Sequence, residues 1–73
     1  MIIRNTAAFG EEVRKRRKKL GYTQKYISDC TGLSVTFISD LENGKKTIEL
    51  GKALLLANML GMDLALKERD ERQ

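Results

Sequence analysis

Seventy-three residues with no proline or tryptophan and only two tyrosines and two phenylalanines allow one small core and no second domain. Fourteen Lys and Arg against ten Asp and Glu give a net charge of +4, which favours a polyanionic partner. No apolar run approaches the roughly 20 residues of a membrane-spanning helix, MIIRN is too short and too polar-flanked for a signal peptide, and the expected location is cytoplasmic.

Residues 1–5 form a short lead that is extended or a strand. A first helix is predicted from Thr6 to Leu20, with Phe9, Val13 and Leu20 on its buried side and Gly21 as its stop. Its second half is the basic run Arg14, Lys15, Arg16, Arg17, Lys18 and Lys19. Six consecutive residues cover more than one turn, so they cannot share a face. Lys15 and Lys18 read equally as solvated charges or as phosphate ligands. The stem of Arg16 is expected to cover the core edge while its guanidinium reaches water.

The segment LGYTQKYISDCTGLSVTFISDLENG, residues 20–44, carries two helix-start signals eleven residues apart. Thr23 can cap a helix from Gln24 to Cys30, and Ser34 can cap one from Val35 to Glu42. Thr31-Gly32-Leu33 supplies the turn between them, and Asn43-Gly44 ends the second helix. Leu33, Phe37, Ile38 and Leu41 give that helix one buried stripe. Ser34, Val35, Thr36, Ser39 and Asp40 are left on the other side. These small side chains let a helix backbone approach base edges in a major groove about 12 Å wide. Spacing alone also fits an ordinary helical hairpin with a polar outer face.

A fourth helix is predicted from Ile48 to Leu60, capped by Thr47, with Leu50, Ala53, Leu54, Ala57 and Leu60 as its core stripe. Leu55, Leu56 and Met59 widen the stripe beyond the needs of one small domain, which suits either a partner surface or packing under the lead. Met62, Leu64 and Leu66 then alternate with Asp63, Ala65 and Lys67, a strand period. A lone strand cannot satisfy its own backbone. Its partner is either the lead or the same strand of a second subunit. Residues 62–67 are therefore expected as a dimerisation strand, with Met62, Leu64 and Leu66 at the interface, and 68–73 as a charged tail.

Catalysis has no footing. Without histidine there is no His-based triad or His metal site. Cys30 stands alone, so it forms neither an internal disulfide nor a CxxC site, and it is read as a small packing residue. No catalytic residue, metal ligand or cofactor is expected.

TQKYIS-DCTGLS-VTFISDLENGK resembles the Cro/CI-type, or XRE, helix-turn-helix family on Thr23, Gln24, Ile27, Ser28, Gly32, Leu33, Ser34, Ile38, Ser39, Leu41, Glu42 and Gly44. The resemblance covers about residues 6–61. It implies an all-α, compact lambda-repressor-like domain of four to five helices, here followed by a short C-terminal β-strand. It also implies an ion pair between Arg17 and Glu42. Arg16 departs from the family, which often has an apolar residue there. On such a domain Val35 and Thr36 meet thymine methyl groups, and Thr36 and Ser39 reach base or phosphate, with Asp40 nearby. No Arg, Asn or Gln lies on this face, so specificity leans on DNA shape. Gln24, Lys45 and Lys46 fall beside phosphates.

The lead, TIELGKALLLANMLGMDL and the terminal strand further resemble HipB-like antitoxins. That likeness implies a dimeric repressor of its own operon, bound to a palindromic operator, with a HipA-like kinase toxin as second partner. Two other functions fit the same chain. One is a phage-type or restriction-control regulator without a toxin. The other is a protein-binding adaptor, against which the basic loop and the polar start of the recognition helix argue.

Overall fold

The computed structural model describes residues 2–70, so Met1 of the lead and residues 71–73 of the charged tail lie outside it. Four helices follow in chain order: α1 (Thr6–Lys19), α2 (Gln24–Thr31), α3 (Val35–Glu42) and α4 (Leu50–Met59). The fold is all-α, as the sequence predicts, with four helices among the described residues.

Local chemistry sets most of the boundaries. The hydroxyls of Thr23 and Ser34 accept from the backbone N–H groups of Tyr26 and Phe37, both at 3.0 Å. Asn5 caps α1 by accepting from Ala8 N–H at 2.7 Å. Each such cap is worth about 1 kcal/mol. The last turn of α1 holds Arg16, Arg17, Lys18 and Lys19, where positive charge meets the negative end of the helix dipole. Between α2 and α3, the Thr31 hydroxyl donates to Ile27 O at 2.8 Å and accepts from Leu33 N–H at 3.1 Å. One side chain thus stitches the turn from both ends.

Val13, Ile27, Leu33, Ile38, Leu41, Ala53, Leu56 and Leu60 make up the core, flanked by Phe9, Tyr22, Phe37, Ile48 and Met62. Full burial of such an aliphatic side chain contributes about 1.5–3 kcal/mol. Gly10 sits in the middle of α1 for a tertiary reason. A Cβ there would stand 2.9 Å from Glu42 O and closer still to Leu41 O. The two helices cross at backbone contact, and only hydrogen fits between them.

Several expectations need correction. α4 begins at Leu50 with Glu49 as its cap, not at Ile48 with Thr47, because the longer Glu49 carboxylate reaches Lys52 N–H at 2.6 Å. Its buried stripe is Ala53, Leu56, Ala57 and Leu60, while Leu50 is exposed. An unbroken apolar run does not fix its own phase, and packing against the core does. Leu20 is exposed because Arg17, one turn earlier, takes the inward position. Cys30 is exposed too, as Ile27 and the half-buried Thr31 face the core in its place. Arg16 does more than cover the core edge: the side chain is half-buried, and its Nε donates to Leu60 O at 2.7 Å and caps the end of α4. Within the single chain, neither residues 62–67 nor the described part of the lead enters a ladder. A strand exists only through hydrogen bonds to a neighbour, which the single chain does not supply.

Candidate DNA interface

α3 is fixed at its C-terminal end by one carboxylate. Glu42 Oε2 accepts from Arg17 Nε at 2.7 Å, and Oε1 accepts from Arg17 Nη2 at 3.0 Å and from Gln24 Nε2 at 3.1 Å. The remaining guanidinium nitrogen, Nη1, donates to Tyr22 O at 2.7 Å. Arg17 and Glu42 are only 8% and 7% exposed. Fork-on-fork geometry of this kind is strong and directional. The hydrogen bonds and charge of Glu42 outweigh burial and hold the Arg17 guanidinium above its ordinary range. No buried polar side-chain atom among the described residues lacks a partner. Three helices therefore meet at Glu42, and the angle of α3 is set there.

From that fixed end α3 presents its outer face. Ser34, Val35 and Thr36 are exposed, while Ser39 and Asp40 are half-buried. Val35 is the apolar member of the group and keeps 40% of its surface. The Ser34 hydroxyl is spent on its cap, so its oxygen has limited freedom for another role. Gln24 turns its amide toward Glu42, leaving its carbonyl oxygen and one N–H for other use.

The loop after α3 returns directly over the helix end. Gly44, at φ +80, donates to Leu41 O, and Lys45 N–H donates to Asp40 O, both at 3.0 Å. This double closure satisfies two carbonyls that the helix itself leaves without a donor. It also brings Lys45 Nζ to 3.4 Å from Asp40 Oδ2. Thr6 Oγ1 donates to Gly44 O at 2.8 Å and anchors the loop to the start of α1. Lys45 and Lys46 are both exposed. The basic loop and the polar face of α3 thus stand side by side.

Two neighbours of this face escape a reading of the sequence. Asn43 is exposed and donates to Ser39 Oγ at 3.4 Å. In the sequence it reads only as a helix stop, although its position four residues after Ser39 is visible there. Lys52 holds its ammonium 5.9 Å from the centre of the Phe37 ring, and no sequence signal links those two residues. The basic residues Arg14, Lys15 and Lys18 line a shallow groove with Glu11 on α1. Lys15 is paired there with Glu11 and Glu12 of its own helix.

Residues 13–67 match the helix-turn-helix (HTH_3) domain family. The chain is 34% identical over 71 residues to the HTH-type transcriptional regulator y4mF of Sinorhizobium fredii, covering 97% of this chain and 93% of that protein. Over 55 residues it is 33% identical to the propionyl-CoA carboxylase regulator of Cereibacter sphaeroides, which covers 75% of this chain but 12% of that much longer protein. Among solved structures it resembles HipB in complex with the O4 20mer, with a TM-score of 0.86, 18% identity, and coverage of 96% and 99% of the two chains. A Ser-to-Ala variant of HipB with the O2 20mer gives a TM-score of 0.87 at 18% identity, over 96% and 97% of the chains. At that identity the likeness concerns the fold, and the family rests on the sequence match. With the cap–turn–cap geometry and the exposed face of α3, these findings show that the chain belongs to the XRE-type helix-turn-helix family of DNA-binding transcriptional regulators.

Proposed function

We propose that the chain is a dimeric repressor that reads a palindromic operator through α3 and serves as the antitoxin of a toxin–antitoxin operon. The observation that carries the DNA reading is the juxtaposition of a small, polar α3 face with the anchored loop of Lys45 and Lys46. In this reading Val35, Thr36, Ser39 and Asp40 lie near base edges, Ser34 and Gln24 near the helix starts that meet phosphate, and Lys45 and Lys46 on phosphates. Each phosphate that is no longer neutralised lowers the slope of log affinity against log salt by about 0.9 on duplex DNA. A dimer carries every lysine twice, so each substitution acts at two phosphates. The double variant Lys45→Ala, Lys46→Ala is therefore expected to bind operator more weakly, with a visibly flatter salt dependence in anisotropy titrations. Unchanged affinity and slope would remove the loop from the interface.

A single chain carries one recognition helix, whereas a two-fold operator needs two, about 34–36 Å apart or a multiple of that. Leu55 and Met59 leave an apolar strip open on α4, at 47% and 45% exposure, and Leu64 and Leu66 are open in the segment that follows. Antiparallel pairing of residues 62–67 across a two-fold axis would satisfy their backbone and cover this strip, with Met62, Leu64 and Leu66 inside. Truncation after Gly61 is expected to give a monomer in sedimentation and to lose most operator affinity, while α1–α4 stay helical by circular dichroism. A truncated chain that remains a tight dimer with normal operator binding would exclude 62–67 as the clasp.

The antitoxin role is supported by the HipB-like fold over nearly the whole chain. In this reading a HipA-like kinase toxin is the second partner. Co-expression with a kinase-like product of the adjacent reading frame, followed by co-purification and a growth-rescue assay, tests it. The Sinorhizobium fredii protein is a transcriptional regulator by name, which fits equally the second reading of a phage-type or restriction-control regulator without a toxin. Failure of rescue with operator binding intact selects that one.

A further inference from the structure

Asp40 is an odd residue to find on a surface meant for DNA. Its carboxylate lies one turn beyond Thr36 and beside Ser39 on the α3 face, half-buried and 39% exposed. Glu42, the next acidic residue of the helix, is turned inside against Arg17 and Gln24. A bare carboxylate entering a groove walled by phosphates is repelled by them. Here a counter-charge is built in. Gly44 and Lys45 close the helix end through backbone bonds to Leu41 O and Asp40 O, and Lys45 Nζ stands 3.4 Å from Asp40 Oδ2. The loop is tied to α1 through Thr6 and Gly44, so the lysine is held at the carboxylate by its backbone as well as by its charge. An ammonium has three donors, so Lys45 can keep Asp40 and still bind a phosphate.

We propose that Asp40 is the specificity-determining residue of the interface and that it selects cytosine, a proposal that rests on the operator-binding reading above. An ionised carboxylate only accepts hydrogen bonds. In the major groove guanine shows O6 and N7 and thymine shows O4, all acceptors that repel it. Adenine offers its N6 donor but sets the N7 acceptor beside it, while cytosine N4 is a donor without that neighbour. The carboxylate is therefore complementary to cytosine and to no other base to the same degree. Thr36 and Ser39 keep the surrounding face small enough for the short Asp side chain to reach the base edge. DNA shape then supplies specificity at the remaining positions, and Asp40 supplies it at one position in each half-site.

Selection from a random duplex pool with the full chain tests this, using wild type, Asp40→Asn and Asp40→Ala, each checked for native helicity. Wild type is expected to enrich one cytosine per half-site, preferred roughly tenfold over other bases, the scale of one good base contact. Asp40→Asn offers a donor and an acceptor together, so the same position is expected to shift to adenine while all others persist. Asp40→Ala is expected to lose preference there alone. Identical enriched sequences from all three proteins would overturn the proposal. So would an Asp40→Ala variant that binds every duplex more tightly with unchanged preference, because the carboxylate would then only repel. A wild-type pool with no enriched sequence overturns the operator reading and this proposal together, whereas an enriched pool without that cytosine overturns this proposal alone.

Discussion

Glu42→Ala is expected to lower the melting temperature steeply and to abolish tight operator binding in the same variant. Removing one partner of a buried, hydrogen-bonded ion pair costs about 3–5 kcal/mol, because the other charge stays behind without compensation. The pair here is nearly inaccessible to water, and Arg17 would keep only its bond to Tyr22 O. In a domain of this size each kcal/mol moves the midpoint by roughly 4–8 °C. Gln24 loses its anchor as well, which loosens the start of α2. The guanidinium is held above its ordinary range, so its contribution is present at neutral pH and is lost as pH rises through the raised value into strong alkali. Thermal melts at neutral pH with an unchanged midpoint would show that the pair does not carry the fold.

Gly10→Val should also be strongly damaging. Even the first added carbon would collide with the carbonyls of Leu41 and Glu42. Those atoms are backbone at the end of α3, so they cannot step aside as a flexible side chain would. Overpacking in cores commonly costs about 1–3 kcal/mol, and a backbone obstacle places this case at or beyond the upper end. Gly10→Ala is the milder probe, since alanine otherwise gains roughly 1 kcal/mol over glycine inside a helix. A stabilised Gly10→Ala variant would show that α1 and α3 are not in contact at this point.

Local features are legible in the sequence, and long-range ones are dark. Thr23 and Ser34 each act on an N–H three residues on, so their role is written in a few letters. The bounds of α3 follow from the same logic. Gly10, by contrast, looks only like a weak residue in a helix until α3 is laid against it. Arg16 reaches a carbonyl 44 residues away, and nothing near it in the chain announces Leu60. Thr47 outranks Glu49 as a helix cap by side-chain type, yet the chain turns at residues 46–47 and the longer carboxylate takes the position. Around α4 a run of consecutive apolar residues fits several phases equally, and pattern alone therefore puts Leu50 on the wrong side. For the candidate site, the face of α3 can be read from its periodicity. The Lys45–Asp40 contact cannot, because it depends on how the chain doubles back at Gly44.

The junction at Glu42 also limits how such a protein can be controlled. With α1, α2 and α3 converging on one carboxylate, the head has no internal hinge through which α3 could swivel. In the proposed dimer, the remaining soft coordinate is the separation and phase of two rigid heads. A partner that grips the segment after Gly61 would then regulate by stretching or compressing that separation against the fixed helical repeat of DNA, a rigid-body mode of switching.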